Sequence, residues 1–301
     1  MKENKARVIA FYLPQYHPIP ENDKYWGKGF TEWTNVAKAK PLFRGHYQPH
    51  IPADLGFYDL RLPEVREAQA ELARDAGIEG FCYYHYWFGN GKMLLQKPFE
   101  EVLRLGKPDF PFCLCWANHD WTTKTWVKGS SMVNNTMIAQ QEYLGEQDDI
   151  KHFEYCLRAF KDHRYITIEG KPIFLIYDPL SFPNVKEFMN RWNFLAKKNN
   201  LKGIYFIGVT TGRQSSYKIV TNLGFDGVCH NRRWEAEAKA AGFRFVRRMQ
   251  SLLGWHLGIS LMKYDYNKVV RNYDTPENKL ENCYPVTVSY THLTLPTNSR
   301  V

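Results

Sequence analysis

Aromatic rings and carboxylates recur together in three short clusters of this sequence. The clusters lie around Glu32, around His85 and around Asp120. Tyrosine and tryptophan combine a flat apolar face with a hydrogen-bonding group, which suits a ligand with apolar faces and hydroxyl edges, such as a sugar ring. Together with polar residues at other expected strand ends, the clusters give the candidate ligand-binding residues Gln15, Tyr16, Glu32, Trp33, His85, Tyr86, Trp87, Trp116, Asn118, Asp120 and Asp178. The simpler interpretation of any one of these aromatic rings is core packing.

The second cluster lies in the window 79–88, which holds six aromatic residues and one histidine. Alternation along a strand places side chains on opposite faces, so the window has two faces. One face carries Cys82, Tyr84, Tyr86 and Phe88, and the other carries Phe81, Tyr83, His85 and Trp87. We expect Phe81 and Tyr83 to pack in the core, and we expect the residues at the strand end to contact a ligand.

The carboxylates near these aromatics suggest chemistry at a glycosidic bond, which typically uses an acid and a second carboxylate that is a base or a nucleophile. The candidates in strand-end loops are Glu32, Asp120, Asp178 and Glu235. Spacing alone selects none of them, since loop carboxylates are commonly caps or solvated. The sequence has no metalloprotease, nucleophile-elbow, phosphate-loop or zinc-finger spacing. We therefore expect neither a cofactor nor a metal ion.

Composition indicates a soluble globular chain with a sizeable core. Of 301 residues, 44% are apolar and 24% are charged, which excludes disordered and collagen-like classes. The net charge of +9 is concentrated in residues 232–271, which contain nine basic and three acidic residues. This stretch could contact phosphate-bearing ligands or an anionic membrane surface as a peripheral association. A solvated helix face is the simpler interpretation, and no nucleic-acid partner is expected.

The N-terminus and the cysteines indicate a cytoplasmic, reduced protein. Pro14 stops the first apolar run, and no cleavage-like site follows it, so no signal peptide is expected. No stretch approaches the roughly 18 apolar residues of a membrane-spanning helix. The six cysteines are scattered, and only Cys113 and Cys115 are close together. Without a second pair, these two are better interpreted as buried thiols than as metal ligands.

The elements that must position the clusters alternate regularly. Amphipathic helices separate seven apolar runs, which are Val8–Leu13, Gly80–Phe88, Pro111–Ala117, Pro172–Tyr177, Gly203–Val209, Phe225–Cys229 and Tyr284–Val288. This alternation predicts parallel strands joined by crossover helices, either in a TIM-type (β/α)₈ barrel or in an open doubly wound sheet. A dinucleotide-type glycine loop is absent, and polar residues gather where several strands end, so we favour the barrel.

The predicted strands number seven, whereas a closed barrel of this type has eight. The last residues, SYTHLTLPTNSRV, contain no helical pattern and no further strand. We therefore expect an incomplete α/β barrel domain over 1–288 that lacks the last βα unit, followed by a non-native tail over 289–301. The alternative is a natural disordered C-terminus. Two long insertions, 14–62 and 118–148, are expected to be functional because of their length.

Long motifs carry a specific resemblance to a known family. The segment from VIAFYLPQYHPIPEND through GFTEWTNV, together with GFCYYHYWFGNG and FPFCLCWAN, resembles the WbsX-type family, also described as glycoside hydrolase family 99-like. The resemblance runs from Val8 to about Val288. It implies a (β/α)₈ barrel that acts on carbohydrate in bacterial surface polysaccharide biosynthesis (O-antigen of lipopolysaccharide, capsule or exopolysaccharide). The full-length form would be a glycosyltransferase or a retaining glycosidase-like enzyme.

The sequence departs from this family pattern in two places. Many members have Asn-Glu-x-Trp where this chain has Asn118-His119-Asp120-Trp121, so Asp120 could be a displaced substitute for the glutamate. The late glutamate-bearing motif of the related endo-α-mannosidases is absent, so no catalytic residue is assigned and this chain is expected to be inactive. Two other function classes stay open, a non-catalytic carbohydrate-binding barrel and a barrel enzyme acting on a phosphorylated small molecule.

Overall fold

A computed structural model provides the structure of the chain. It describes residues 7–41, 44–123, 125–126, 133–134, 136–210, 216–231, 233–240, 249, 252–253, 265–273 and 276–285. The strands are β1 (Ile9–Tyr12), β2 (Gly80–Trp87), β3 (Met93–Leu94), β4 (Phe112–Trp116), β5 (Trp121–Thr122), β6 (Thr125–Trp126), β7 (Val133–Asn134), β8 (Met137–Ala139), β9 (Thr167–Ile168), β10 (Lys171–Ile176), β11 (Tyr205–Val209), β12 (Gly227–His230) and β13 (Cys283–Pro285).

The helices alternate with the longer strands along the chain. They are α1 (Pro20–Trp26), α2 (Glu32–Lys38), α3 (Pro63–Asp75), α4 (Lys97–Leu105), α5 (Glu146–Phe160), α6 (Val185–Lys198), α7 (Tyr217–Asn222), α8 (Arg233–Ala240) and α9 (Tyr266–Tyr273). A 3₁₀ helix, Pro276–Lys279, precedes the last strand. Proline in the first turn of α1, α3 and α4 suits a helix start, because the first amides of a helix have no intrahelical acceptor.

Seven of the described strands form one parallel sheet in the order β1-β2-β4-β10-β11-β12-β13. The spatial order follows the chain order throughout, with β3 and β9 added as short antiparallel partners. A doubly wound sheet reverses its order at a switch point, whereas a (β/α) barrel does not. The topology therefore confirms the predicted α/β class and the barrel-type winding, and each predicted apolar run overlaps one of these strands.

The sheet is curled, and electrostatic interactions between strands far apart in its pairing order are consistent with this shape. In a flat sheet with strands about 4.8 Å apart, β2 and β12 would be roughly 19 Å from each other. Burial raises the pKa of the Cys82 thiol on β2, and the thiol of Cys229 on β12 raises it further. Likewise the Glu79 carboxylate raises the pKa of Arg7 before β1, and Tyr284 on β13 adds to this effect. Strands far apart in the pairing order therefore approach each other across the interior.

The convex side of the sheet packs against helices through a layer of aromatic rings. Trp192 of α6 is fully buried, and its ring centroid lies 4.7 Å from that of Phe174 on β10 and 4.5 Å from that of Phe188. Its indole nitrogen donates a hydrogen bond of 2.9 Å to the carbonyl of Asp149 on α5. One tryptophan thus joins two neighbouring helices to the sheet, and its burial removes a large apolar area from water.

The two predicted insertions contain the secondary structure that surrounds the carboxyl ends of the strands. The first holds α1 and α2, and the second holds two antiparallel pairs, β5 with β8 and β6 with β7. In the next helix, α5, Gly145 is the N-cap and helical residues begin at Glu146.

Two sequence expectations fall mainly on parts of the chain outside the described ranges. The expected tail, 289–301, lies outside them, as does most of the basic stretch 232–271. Peripheral membrane contact through that stretch stays a prediction. Among the helices that the structure describes, none is both long enough and apolar enough to cross a bilayer.

Candidate functional site

An aromatic wall lines the concave side at the carboxyl ends of the strands. Tyr84 and Tyr86 share the face of β2 that carries Cys82. The ring of Tyr86 is stacked on Trp121 of β5 with centroids 6.0 Å apart, and the ring of Tyr84 meets Tyr177, which follows β10, at the same distance. We call Tyr84, Tyr86, Trp121 and Tyr177 the aromatic wall. Aromatic faces and phenol groups from three strand ends therefore meet at one place.

Gln15 and Glu32 add polar groups to the aromatic wall. The Gln15 amide donates a hydrogen bond of 3.3 Å to the Tyr86 hydroxyl. Glu32 is the first residue of α2, and its Oε2 atom is buried without a hydrogen-bond partner. Burial raises the pKa of Glu32, while Asn35 opposes this shift. Burial also raises the pKa of Tyr86, and the Glu32 carboxylate contributes to that rise, so the carboxyl group lies near the wall.

Tyr16 and Trp33 hold the first insertion in place beside this wall. Their ring centroids are 4.6 Å apart, and the Trp33 indole donates a hydrogen bond of 2.8 Å to the carbonyl of Tyr58. Tyr16 is buried, and the desolvation of its phenol raises its pKa, with Tyr58 and Glu32 contributing. These two residues therefore support the segment that carries Glu32.

Asn118 joins two of the loops that follow the strands. Its amide nitrogen donates to the Asp178 carbonyl at 2.8 Å and to the Tyr143 hydroxyl at 3.0 Å, and its amide oxygen accepts the Asp178 N–H at 2.7 Å. The Asp178 carboxylate accepts hydrogen bonds from Ser181. Asn118 is fully buried, and its hydrogen bonds hold the loop after β4 in place relative to the loop after β10.

Asp120 organises the second insertion. Its carboxylate accepts a hydrogen bond of 2.7 Å from the backbone N–H of Gln141, across the base of the β5–β8 pair. The residue is exposed, and the side chain already has this local partner. Its expected role as a displaced catalytic carboxylate stays a prediction.

His85, Trp87 and Trp116 occupy a place that differs from the expected one. They lie on the convex face, where the Trp87 ring stacks on His152 of α5 at 4.6 Å and 4°. The Trp116 indole donates to the Trp87 carbonyl at 2.9 Å, and all three side chains are buried. The structure thus places these three residues apart from the aromatic wall, because α5 covers the face of β2 that carries His85 and Trp87. Contact of the three residues with a ligand stays a prediction.

Sequence reasoning left Trp121 and Tyr177 out of the candidate site. Tyr177 follows Leu175 by two residues, so strand alternation would have placed it on the same face as Cys115, the partner of Leu175 in the sheet register. The ring of His119 also lies 5.3 Å from that of Tyr177. Trp121 had no comparable signal, because its position depends on how the second insertion folds back.

Potential metal ligands come together away from the aromatic wall. In the described part of the chain, one ligand atom from each of His85, His152 and Cys156 lies within 4.8 Å of the others. All six cysteines of the chain are buried free thiols. Cys113 of β4 lies beside Cys82 of β2. The hydrogen bond between the two thiols raises the pKa of Cys113 and lowers that of Cys82.

These observations define an α/β protein with barrel-type winding and an aromatic wall at the carboxyl ends of its strands. Residues 8–292 match the family described as "Glycosyltransferase WbsX". The chain belongs to this family, as the sequence resemblance indicated.

Curated relatives and solved structures place this similarity in context. Proteins named "Uncharacterized protein WxcX" from two strains of Xanthomonas campestris pv. campestris are 42% identical over 223 residues, which are 74% of this chain and 31% of theirs. The chain thus spans about a third of the length of these curated relatives.

Two solved structures are also similar to the chain. The GH99 endo-α-mannosidase of Bacteroides thetaiotaomicron in complex with Bis-Tris-propane is 17% identical, with a TM-score of 0.47, and the match covers 83% of this chain and 65% of that one. A protein described as "Glycoside hydrolase-like protein" is 14% identical, with a TM-score of 0.45, over 84% of this chain and 69% of that one.

Proposed function

We propose that this protein binds a carbohydrate at the aromatic wall and takes part in building a bacterial surface polysaccharide, as a glycosyltransferase or a retaining glycosidase-like enzyme. The family description supports the carbohydrate class. The observation that carries the proposal is the meeting of Tyr84, Tyr86, Trp121 and Tyr177 beside Gln15 and Glu32.

The wall offers the two kinds of contact that a sugar requires. The rings provide flat apolar faces, and Trp121 is only partly buried, so part of its surface is open to a ligand. The Tyr86 phenol and the Gln15 amide provide a donor and an acceptor for hydroxyl groups. In this proposal, Trp33 and Asp178 hold the segments around the wall in place. Direct contact of either residue with the sugar stays a prediction.

Glu32 is our candidate for the acid of the reaction. Burial of its carboxyl group favours the protonated form, so it holds its proton to a higher pH than an ordinary glutamate. In a retaining site, a carboxylic acid of this kind donates its proton to the departing glycosidic oxygen while a second carboxylate forms a bond to the sugar. The first residue, now a carboxylate, then takes the proton of the acceptor hydroxyl that displaces the second carboxylate.

Glycan binding by the complete chain tests the proposal. We expect Trp121→Ala to weaken binding to a panel of bacterial surface-polysaccharide oligosaccharides by at least tenfold, because the variant removes one aromatic face. Phe194→Ala is the control, since Phe194 is 67% exposed on α6 in the outer helix layer. Binding would be measured by calorimetric titration on variants that unfold at the wild-type temperature.

Comparison of the two variants also distinguishes binding at the aromatic wall from nonspecific binding to exposed aromatic rings. Equal binding by both variants, or no binding by the wild-type chain to any oligosaccharide, would contradict the proposal. Glu32→Gln keeps the size of the side chain and is expected to retain binding while losing turnover in any preparation that shows transfer or hydrolysis. Unchanged turnover by this variant would remove Glu32 from the acid role.

A further inference from the structure

Two histidines and one cysteine meet on the convex side of β2, on the opposite face from the aromatic wall. The Nε2 atoms of His85 and His152 are 2.8 Å apart, and the Cys156 sulfur lies within 4.8 Å of the ligand atoms of both. His85 is 5% exposed, His152 is 1% exposed and Cys156 is fully buried. The three donor atoms are therefore gathered in a region that water does not enter freely.

Local geometry explains why these three residues meet. His152 and Cys156 are four residues apart on α5, so they share one face of the helix. Asp148 lies one turn earlier on this face, and it accepts a hydrogen bond of 3.1 Å from the Trp87 indole. His85 and Trp87 share one face of β2. The hydrogen bond from Trp87 to Asp148 therefore holds this face of the strand against the helix face that carries His152 and Cys156.

The two imidazoles contact each other directly through one hydrogen bond between ring nitrogens. A hydrogen bond between two Nε2 atoms requires one of them to carry a proton and the other to present its lone pair. An ion between the rings would replace that shared proton, and the donor ring would then carry its proton on Nδ1.

The surroundings restrict the kind of ion that could bind. Three aromatic rings enclose His152, with Trp87 stacked on it and Trp116 and Trp192 meeting it edge-on at 4.8 and 4.9 Å. A net charge is costly in such an apolar setting. A monovalent ion bound by one thiolate and two neutral imidazoles forms a neutral unit, whereas a divalent ion on the same three ligands would carry one net positive charge.

We propose that His85, His152 and Cys156 form a three-coordinate copper(I) site that joins β2 to α5. Soft thiolate ligands select copper(I) over hard cations, and three ligands satisfy its low coordination number. Binding is not a redox step, because the ion stays copper(I). The Cys156 S–H bond breaks, a copper–sulfur bond forms, and the proton leaves to solvent.

The cluster must expand slightly to hold the ion. Bonds from a metal to imidazole nitrogen are about 2.0 Å long, so two ligating nitrogens lie farther apart than the present 2.8 Å. A small cavity bordered by His85, Leu95 and Tyr155 lies next to the cluster. We expect the His85 ring to move toward this cavity when the ion binds.

The inference is independent of the proposed carbohydrate function, because the cluster and the aromatic wall lie on opposite faces of β2. The test needs a control for the other thiols, since Cys82 hydrogen-bonds with Cys113 and Cys115 on the concave side. The three thiols of Cys82, Cys113 and Cys115 together are an alternative copper site. Cys82 is 2% exposed, so Cys82→Ala matches Cys156→Ala in burial and in the atoms removed.

Anaerobic titration of the complete chain with copper(I) in competition with bicinchoninate tests the site. We expect one copper(I) bound per chain in the wild type and in Cys82→Ala, and none in Cys156→Ala, with folding of each variant checked by its thermal unfolding. A wild-type chain that takes no copper from bicinchoninate would overturn the proposal. Retention of copper by Cys156→Ala, or its loss in Cys82→Ala, would also overturn it.

X-ray absorption on the copper-loaded wild type keeps the proposal testable if a variant fails to fold. The expected first shell contains one sulfur and two nitrogens, with the outer scattering of imidazole rings. A first shell of sulfur alone would assign the ion to the thiols of the concave side and overturn the assignment to His85, His152 and Cys156.

Discussion

Trp87 shows how a residue type that suits ligand binding can instead hold two layers together. It is 3% exposed, its ring stacks on His152, and its indole nitrogen donates to Asp148. A tryptophan at a strand end would offer the same atoms to a sugar if the neighbouring helix were absent. The difference between the two roles therefore lies in what covers the strand, which is set by residues 61 positions or more away.

Replacement of Trp87 by alanine should lower stability strongly. We expect Trp87→Ala to reduce the free energy of unfolding by about 3–5 kcal/mol, because it leaves a large cavity and removes one of the hydrogen-bond donors to Asp148. Trp121→Ala should cost much less, since Trp121 is only partly buried. Urea unfolding of both variants measures this difference, and similar losses for the two would contradict the packing role of Trp87.

His17 should make stability fall as the pH is lowered. It is 1% exposed, and burial lowers its pKa to about 4, with Arg61 and Lys97 acting in the same direction and Asp59 opposing. The unfolded chain binds a proton at this residue below about pH 6.5, whereas the folded chain resists protonation until about pH 4. The free energy of unfolding therefore loses nothing to His17 above about pH 6.5, and it falls as the pH is lowered from about 6.5 to about 4.

Urea unfolding at pH 7 and pH 5 measures this contribution. Between those values the His17 shift is worth about 2 kcal/mol. His17→Gln should reduce the pH dependence of the wild type by about this amount. His163→Gln is the control, because the His163 side chain is 83% exposed, and it should leave the pH dependence unchanged. A wild-type slope that persists in His17→Gln would contradict the burial argument.

At the scale of elements, Arg164 connects the segment after α5 to the segment around α4. Its side chain is 2% exposed, and it donates to the carbonyls of Pro108 at 2.8 Å and Val102 at 3.2 Å while pairing with Asp162 at 2.7 Å. A buried guanidinium with three acceptors is stable only while each donor keeps its partner. The fork of Arg164 thus fixes the loops that precede β4 and β10.

Arg164→Lys should destabilise the fold although the charge is kept. A lysine ammonium cannot reproduce the fixed fork of donors, so we expect a loss of about 2–3 kcal/mol in the free energy of unfolding. Arg104→Lys is the matched control, because Arg104 forms an exposed pair with Glu101, and it should leave stability unchanged. Equal unfolding midpoints for wild type and Arg164→Lys would rule out this role.

The sequence predicted the seven strands because their signal is local. Each strand is a short apolar run bounded by turn residues or by a helix, and the parallel class follows from the alternation of the elements. The orientation of β2 could not be predicted in the same way. Both faces of β2 are aromatic, so periodicity separates Tyr84 and Tyr86 from His85 and Trp87 without showing which pair faces the interior.

The same limit explains the outcome for the candidate site. Alternation and strand-end position were enough to select Tyr86 and Gln15, which do meet. They could not exclude Trp116, because its burial depends on α5 and on Phe182 and Phe188, which come much later in the chain. Nonlocal packing decides such cases, and a single sequence does not display it.

At the scale of the whole molecule, the curl of the sheet separates two chemical environments. The concave side brings together thiols, phenols and the Glu32 carboxyl group, and the convex side is filled by aromatic rings and two neutral histidines. The two sides differ in access to solvent at the strand ends, because α5 and α6 cover the convex one. A ligand of the protein and a buried ion would therefore occupy different faces of one sheet.

The agreement between spatial order and chain order has a consequence for the assembly of the protein on the ribosome. Within the series of seven parallel strands, each strand after β1 pairs with the parallel strand that is synthesised before it, from β1 with β2 to β12 with β13. Among the seven parallel strands that the structure describes, none pairs with a parallel strand that is more than one place later in this series. The nascent chain can therefore add one strand and one helix at a time to an edge that already exists, so that growth of the sheet keeps pace with elongation.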